Sequence, residues 1–130
     1  MFVTCSELER DAENSFLVAG YAFQQEDKVF CIHGRIAFGR IKIGTAFNTL
    51  YRYVPLIYYE DFPPDSAELL DIKTVEITVR RIISYGRDFQ ELDRGSSCSL
   101  YVSGEIHESD FLETYSEKYG RKNYVLITTA

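Results

Sequence analysis

The segment GRIAFGRIKIG, residues 34 to 44, limits what this chain can fold into more than any other stretch. Ile36 and Phe38 fall on one parity of an extended chain, whereas Ile41 and Ile43 fall on the other. In a β-strand, a slip of one residue sends every following side chain to the opposite face. A regular strand therefore cannot carry both halves into one core. A tight turn or bulge at Gly39, in the positive-φ conformation that glycine alone adopts freely, restores them. GRIKIGT also has the outline of a phosphate-binding loop. That chemistry requires GxxxxGK[ST] with a helix opening just after it. Here Thr45 stands where the lysine should be, and AFNTLYRY beyond it has no amphipathic helical pattern. The glycines read as corners of β-structure, and no nucleotide is expected.

The rest of the chain supports that reading. SFLVAGYAF (15–23), KVFCIHGRIAF (28–38), AFNTLYRYVPLIYY (46–59), KTVEITVRRIISYG (73–86), SCSLYVSG (97–104) and NYVLITT (123–129) are strand candidates. In the fourth, Val75, Ile77 and Val79 alternate until the pattern shifts at Arg80 and Arg81. Pro55 places the end of the third at an edge or bulge. FPPDSAELLD (62–71) reads as a loop. SDFLETYSEKYG has Phe111, Leu112, Tyr115 and Tyr119 at helical spacing, with Asp110 and Glu113 as a capping box and Gly120 as a stop, which predicts one short helix near 110–119. Residues 1–14 are an N-terminal extension or edge segment. The expectation is one all-β domain spanning 1–130, a closed or nearly closed antiparallel barrel of six to seven strands that leaves few exposed edges.

Composition agrees. Ten Tyr and nine Phe with no Trp favour pleated, half-buried surfaces. The 14 Lys and Arg against 20 Asp and Glu give a net charge of -6, which opposes polyanion binding unless the cations share one face. Cys5, Cys31 and Cys98 are odd in number with no metal-ligand spacing, so buried reduced thiols and a cytoplasmic setting are expected, without metal or cofactor. The acidic start MFVTCSELERD does not read as a secretory signal, and no apolar run approaches a membrane span.

GRIAFGRIKIGT resembles the hallmark run of the second domain of translational GTPases such as elongation factor Tu, a G-R-apolar-x-x-G-polar-apolar-x-apolar-G segment. VEITVRRIISYGRDFQELDRGSSCSLYVSG (75–104) is similar to that domain's strand, polar loop, turn glycine and strand, with Glu91, Leu92 and Gly95 at the acidic loop and glycine. ESDFLETYSEKYGRKNYVLI looks like its closing unit. The resemblance covers roughly residues 15–130 and implies a translation-factor barrel without a G domain, a P-loop or an NKxD-type segment. GTP binding therefore does not carry over. Gly34, Gly39, Gly44, Gly95 and Gly104 are the structural glycines of this reading. YRYVPLIYYEDFPPDSAELLD is a longer aromatic and acidic segment where the family usually has a brief strand pair and loop, so that insertion is where a specialised function would lie.

Three sets of residues bear on function. Tyr51, Tyr53, Tyr58 and Tyr59, followed by Glu60 and Asp61, have the composition of a protein-binding face, and a non-enzymatic module masking a basic partner, as an immunity or inhibitor protein does, fits it. Arg35, Arg40 and Lys42, together with Arg80, Arg81 and Arg87, offer RNA contact as the alternative; in the family that the chain resembles, this barrel helps hold the acceptor end of transfer RNA. An enzyme using His33 or Cys31, which share a strand face, ranks lowest because no third group is in sight. His107 has no neighbouring partners either.

Overall fold

The computed structural model describes residues 1–24, 29–56, 66–105, 115–116, 120–121 and 123–129. Strand β1 (Phe2–Thr4) leads into helix α1 (Cys5–Asp11), and the strands β2 (Ala12–Gln24), β3 (Val29–Lys42), β4 (Ala46–Pro55) and β5 (Ser66–Ser84) follow. Short strands β6 (Arg87–Phe89) and β7 (Glu91–Asp93) precede β8 (Ser97–Glu105), and β9 (Tyr115–Ser116), β10 (Gly120–Arg121) and β11 (Asn123–Thr129) complete the chain. Six of these strands close a ring through the antiparallel pairs β2–β3, β3–β8, β8–β5, β5–β4, β4–β11 and β11–β2. The result is the small antiparallel barrel that the alternation patterns predict. β1 and β6 add to β5, and β7 adds to β3.

The barrel is filled by one residue in two. Phe16, Ile32, Ile36, Ile41, Phe47, Leu50, Ile77, Ile82, Leu100 and Leu126 are all essentially inaccessible to solvent. Each buried side chain of this size is worth roughly 1.5–3 kcal/mol of transfer free energy, so the interior dominates stability. A second apolar layer lies outside the wall, where Tyr51, Leu69, Val125 and Ile127 pack with Leu8 of α1 and Val3 of β1. The run Tyr124 to Ile127 serves both layers: Tyr124 and Leu126 join the interior cluster, Val125 and Ile127 the outer one. Uninterrupted apolar sequence is what a strand buried on both faces requires.

The parity slip in β3 is resolved by bulging. Ser15 pairs with Phe38 but Phe16 with Ile36, so Ala37 is the extra residue. Gly39 then takes φ +73°. Ile36 and Ile41 both reach 0% exposure although they are an odd number of residues apart. Two details differ from the parity argument. Phe38 lies outside the barrel beneath Arg94, because the bulge precedes it. Ile43 is 40% exposed, because β3 ends at Lys42 and the chain has already turned. Thr45 closes that turn by accepting the Lys42 N–H at 2.9 Å, and Ala46 starts a strand, not a helix. Of the other glycines singled out, Gly44, Gly95 and Gly104 also have positive φ, and Gly34 is packed against the Leu17 carbonyl.

Other expectations are corrected. The stretch 66–71 is the start of β5 rather than loop, held between β1 and β4, with Asp71 at φ 52° marking a bend within it. Of the segment expected to be helical near 110–119, Tyr115–Ser116 is a strand paired with Gly120–Arg121, and the remainder lies outside the described residues. Among the described residues the helix is instead Cys5–Asp11, whose N-cap Thr4 accepts the Glu7 N–H at 3.2 Å. Thr4 and Glu7 carry the T-x-x-E capping spacing, a signal present in the sequence. None of the described helices is long and apolar enough to cross a membrane.

The glycine geometry has a measurable consequence. A Cβ at Gly39 would overlap the Glu13 carbonyl oxygen, whereas one at Gly95, φ +90°, meets nothing within 4 Å. Gly39→Ala should therefore lose about 2–4 kcal/mol through strain plus clash, and Gly95→Ala only about 1 kcal/mol through backbone strain. Urea denaturation of the two variants checks this ordering, and equal losses would remove the close approach from the account.

Candidate functional site

The outer face of β3, β8 and β5 gathers most of the chemistry. In β8, Cys98, Leu100 and Val102 are buried, so Ser97, Ser99, Tyr101 and Ser103 point outward. Register sets His33 beside Ser99 and Arg35 beside Ser97 on one flank, with Ile83 opposite Ser99 and Arg81 opposite Tyr101 on the other. The register shift between Val79 and Arg81 is a bulge that leaves both Arg80 and Arg81 exposed while Val79 and Ile82 stay inside. This explains why alternation fails at the arginine pair. His33, Arg35, Ile83, Tyr85, Ser97 and Ser99 line a shallow groove of about 540 Å³ on this face.

Its polar contacts are specific. His33 Nδ1 lies 2.7 Å from Ser99 Oγ, and Cys31 Sγ is 3.8 Å from His33 Nε2. Arg80 donates to Ser103 Oγ at 2.7 Å. Arg81 grips Asp88 through two nitrogens at 2.6 and 3.1 Å, and its guanidinium sits 5.6 Å from the centre of the Tyr101 ring. That hydrogen-bonded pairing holds the Asp88 carboxyl below its ordinary value. Among the described residues Arg35 and Arg87 make no ion pair.

Tyr85 stands at the groove's end. It forms a two-residue hairpin turn with Gly86, both at positive φ (51° and 75°), between the paired residues Ser84 and Arg87. Such turns ordinarily take Asn or Gly at both positions. Tyr85 is nevertheless 94% exposed. The backbone conformation is costly for a tyrosine, and its ring is held unburied at the end of the groove. The turn signal, a residue before glycine between two strands, is in the sequence; the exposure of Tyr85 is not.

Of the six cations singled out from sequence, the group Arg35, Arg40 and Lys42 is divided, whereas Arg80, Arg81 and Arg87 stay on β5 and the hairpin that follows it. Arg40 belongs elsewhere: it is bound by Asp93 at 2.7 Å and Glu91 at 3.3 Å on β7. Lys42 pairs by register with Glu91. Arg35, Arg80 and Arg81 share the β3, β8 and β5 face, with Arg87 just past the hairpin tip.

The tyrosine segment is divided as well. Tyr51 is not a surface residue: it is 3% exposed, beneath α1, and burial pushes its phenol well above the ordinary value. Tyr53 is half-buried with its hydroxyl 3.6 Å from Cys5 Sγ. Tyr58, Tyr59, Glu60 and Asp61 lie outside the described residues, as does His107. The chain's own helix covers part of the face that sequence assigned to a partner.

The thiol and imidazole do meet, but with poor chemistry. Burial raises the Cys31 thiol, outweighing hydrogen bonds from Tyr101 and Ser99 that act the other way. Cys98 is pushed up to about 11 by burial. Among the described residues no carboxylate orients His33, and no three metal-ligating side chains converge. A raised pKa means little thiolate at neutral pH. Iodoacetamide at pH 8 should thus leave Cys31 and Cys98 of the folded protein unmodified while half-exposed Cys5 reacts first, as mass spectrometry would read. Fast labelling of Cys31 would reopen the thiol chemistry.

No protein-family model matches the chain, and no curated protein does. The fold is shared with part of a solved structure, translation elongation factor SelB from Methanococcus maripaludis in its apo form, at 11% identity and a TM-score of 0.54. The overlay covers 88% of this chain and 18% of the SelB chain. The architecture is thus that of a translation-factor β-barrel, and the chain corresponds to under a fifth of that elongation factor's length.

Proposed function

We propose that this barrel is a non-catalytic binding module that engages single-stranded RNA across the outer face of β3, β8 and β5. The carrying observation is that Arg35 and the 94% exposed Tyr85 line one groove, with the exposed Arg80 and Arg81 of β5 on the same outer face of the sheet. Phosphates are attracted by arginines, and an exposed ring offers a stacking surface to an unpaired base. The net charge of -6 weakens long-range attraction, so contact depends on this local patch, where Asp88 is already neutralised by Arg81. Likeness to a translation elongation factor is in keeping with an RNA-rich, cytoplasmic setting. A protein partner on the tyrosine segment, including one of immunity type, is the weaker reading, since Tyr51 is interior and Tyr53 is partly covered. An enzyme built on His33 or Cys31 finds no orienting carboxylate among the described residues.

Fluorescence anisotropy with a labelled single-stranded RNA tests the proposal. Affinity should fall steeply with salt, and Arg35→Ala or Arg87→Ala should each weaken binding several-fold and flatten the salt dependence by roughly 0.7 in log–log slope. Arg40→Ala, whose guanidinium is held by two carboxylates, should change neither. Salt-insensitive binding, or an Arg40→Ala loss equal to the others, would defeat the RNA reading.

A further inference from the structure

A separate cavity of about 300 Å³ lies between α1 and the outer wall of the barrel. Leu17, Val125 and Ile127 form its apolar wall, with Leu8 of the helix facing them. This is the low end of the volumes that small-molecule sites occupy, and the lining is of the usual kind: mostly apolar with a few polar groups. One of those groups is out of balance. Tyr51 lines the cavity and is 97% buried, yet among the described residues its hydroxyl has no hydrogen-bond partner. The Cys5 thiol, which also lines the cavity, is engaged with Tyr53. The hydroxyl is not fully enclosed, since the wholly buried unpaired side-chain atom among the described residues is Glu68 Oε2, and Tyr51 lines the cavity, where its hydroxyl can meet an oxygen. Burial keeps the phenol protonated, so its O–H is able to donate to an oxygen.

Charge narrows the occupant further. Arg35 and Arg94 also line the cavity. Arg94 is held by Glu9 of α1 at 3.3 Å and lies over the Phe38 ring, whereas Arg35 has no ion pair among the described residues. An apolar wall, an unmatched hydroxyl donor and an unmatched cation together describe one kind of molecule. We propose that the cavity binds a small amphipathic carboxylate, its hydrocarbon body against Leu17, Val125 and Ile127 and its carboxylate answering the Tyr51 hydroxyl and the charge of Arg35. Arg35 and Leu17 line both grooves, whereas Tyr51 belongs to this one alone, so Tyr51 separates the two sites.

Calorimetric titration of the full chain with octanoate, and with octan-1-ol as the uncharged match, tests this. Octanoate should bind saturably in the millimolar range or tighter, at least about tenfold better than the alcohol, and should raise the melting temperature. Tyr51→Phe keeps the ring and removes only the orphan hydroxyl. It should leave the ligand-free melting temperature unchanged or higher, weaken octanoate about tenfold and leave RNA affinity alone. Arg35→Gln should abolish the preference for octanoate over octanol while the chain still folds. The proposal is overturned by the absence of saturable octanoate binding, by octanol matching octanoate, or by Tyr51→Phe binding octanoate as the parent does.

Discussion

Two isoleucines of β3, Ile36 and Ile41, must enter the same interior from positions of opposite parity, and the rest of the architecture follows from how the backbone allows it. The extra residue at Ala37 and the left-handed Gly39 bend the strand. Before the bend β3 pairs with β8; beyond it β3 pairs with β7. One strand thus takes part in the closed ring and also extends past it. The bend has an electrostatic effect as well. Arg35 lies before it and Arg40 after it, so residues that are near neighbours in the chain end in different environments, one beside a groove and the other between two carboxylates.

The outer wall imposes a second constraint. A strand with apolar side chains on both faces needs cover on both, and β11 is such a strand. The barrel interior covers Tyr124 and Leu126, while α1 and β1 cover Val125 and Ile127. No residue of α1 is itself fully buried, so the helix rests on the wall more than it builds it. A seven-residue helix is too short to be stable alone. Its cap, its contact through Leu8 and the link from Glu9 to Arg94 fix it in place, and the imperfect fit leaves the cavity on which the ligand inference rests.

The charged surface shows why counts of residues say little about binding. Acidic residues outnumber basic ones, yet several carboxylates are spent on arginines: Glu91 and Asp93 on Arg40, Asp88 on Arg81, Asp71 on Arg52 and Glu9 on Arg94. These pairs are mostly exposed and contribute little stability. Their effect is to decide which cations stay available. Among the described residues Arg35 and Arg87 do, and each adjoins the exposed Tyr85 hairpin or its groove.

Much of the barrel was legible because strand alternation is a local property. The slip near Gly39, the shift at the Arg80 and Arg81 pair and the clean alternation of β8 are all periodicities of a few residues, and each corresponds to a bulge or a face in the structure. The helix was misplaced because two segments carried capping patterns, and the short one at Thr4 depends on a wall that forms only when β2, β4 and β11 assemble. The tyrosines could not be sorted by sequence, since Tyr fits either face of a strand and only the position of α1 makes Tyr51 interior. By itself, then, the sequence determined where the chain alternates and where glycine must break that alternation, because backbone sterics act between neighbours. Only the tertiary structure decided that Arg40 meets Asp93 and Arg94 meets Glu9, and that helix α1 covers Tyr51, because those contacts join residues far apart in the chain.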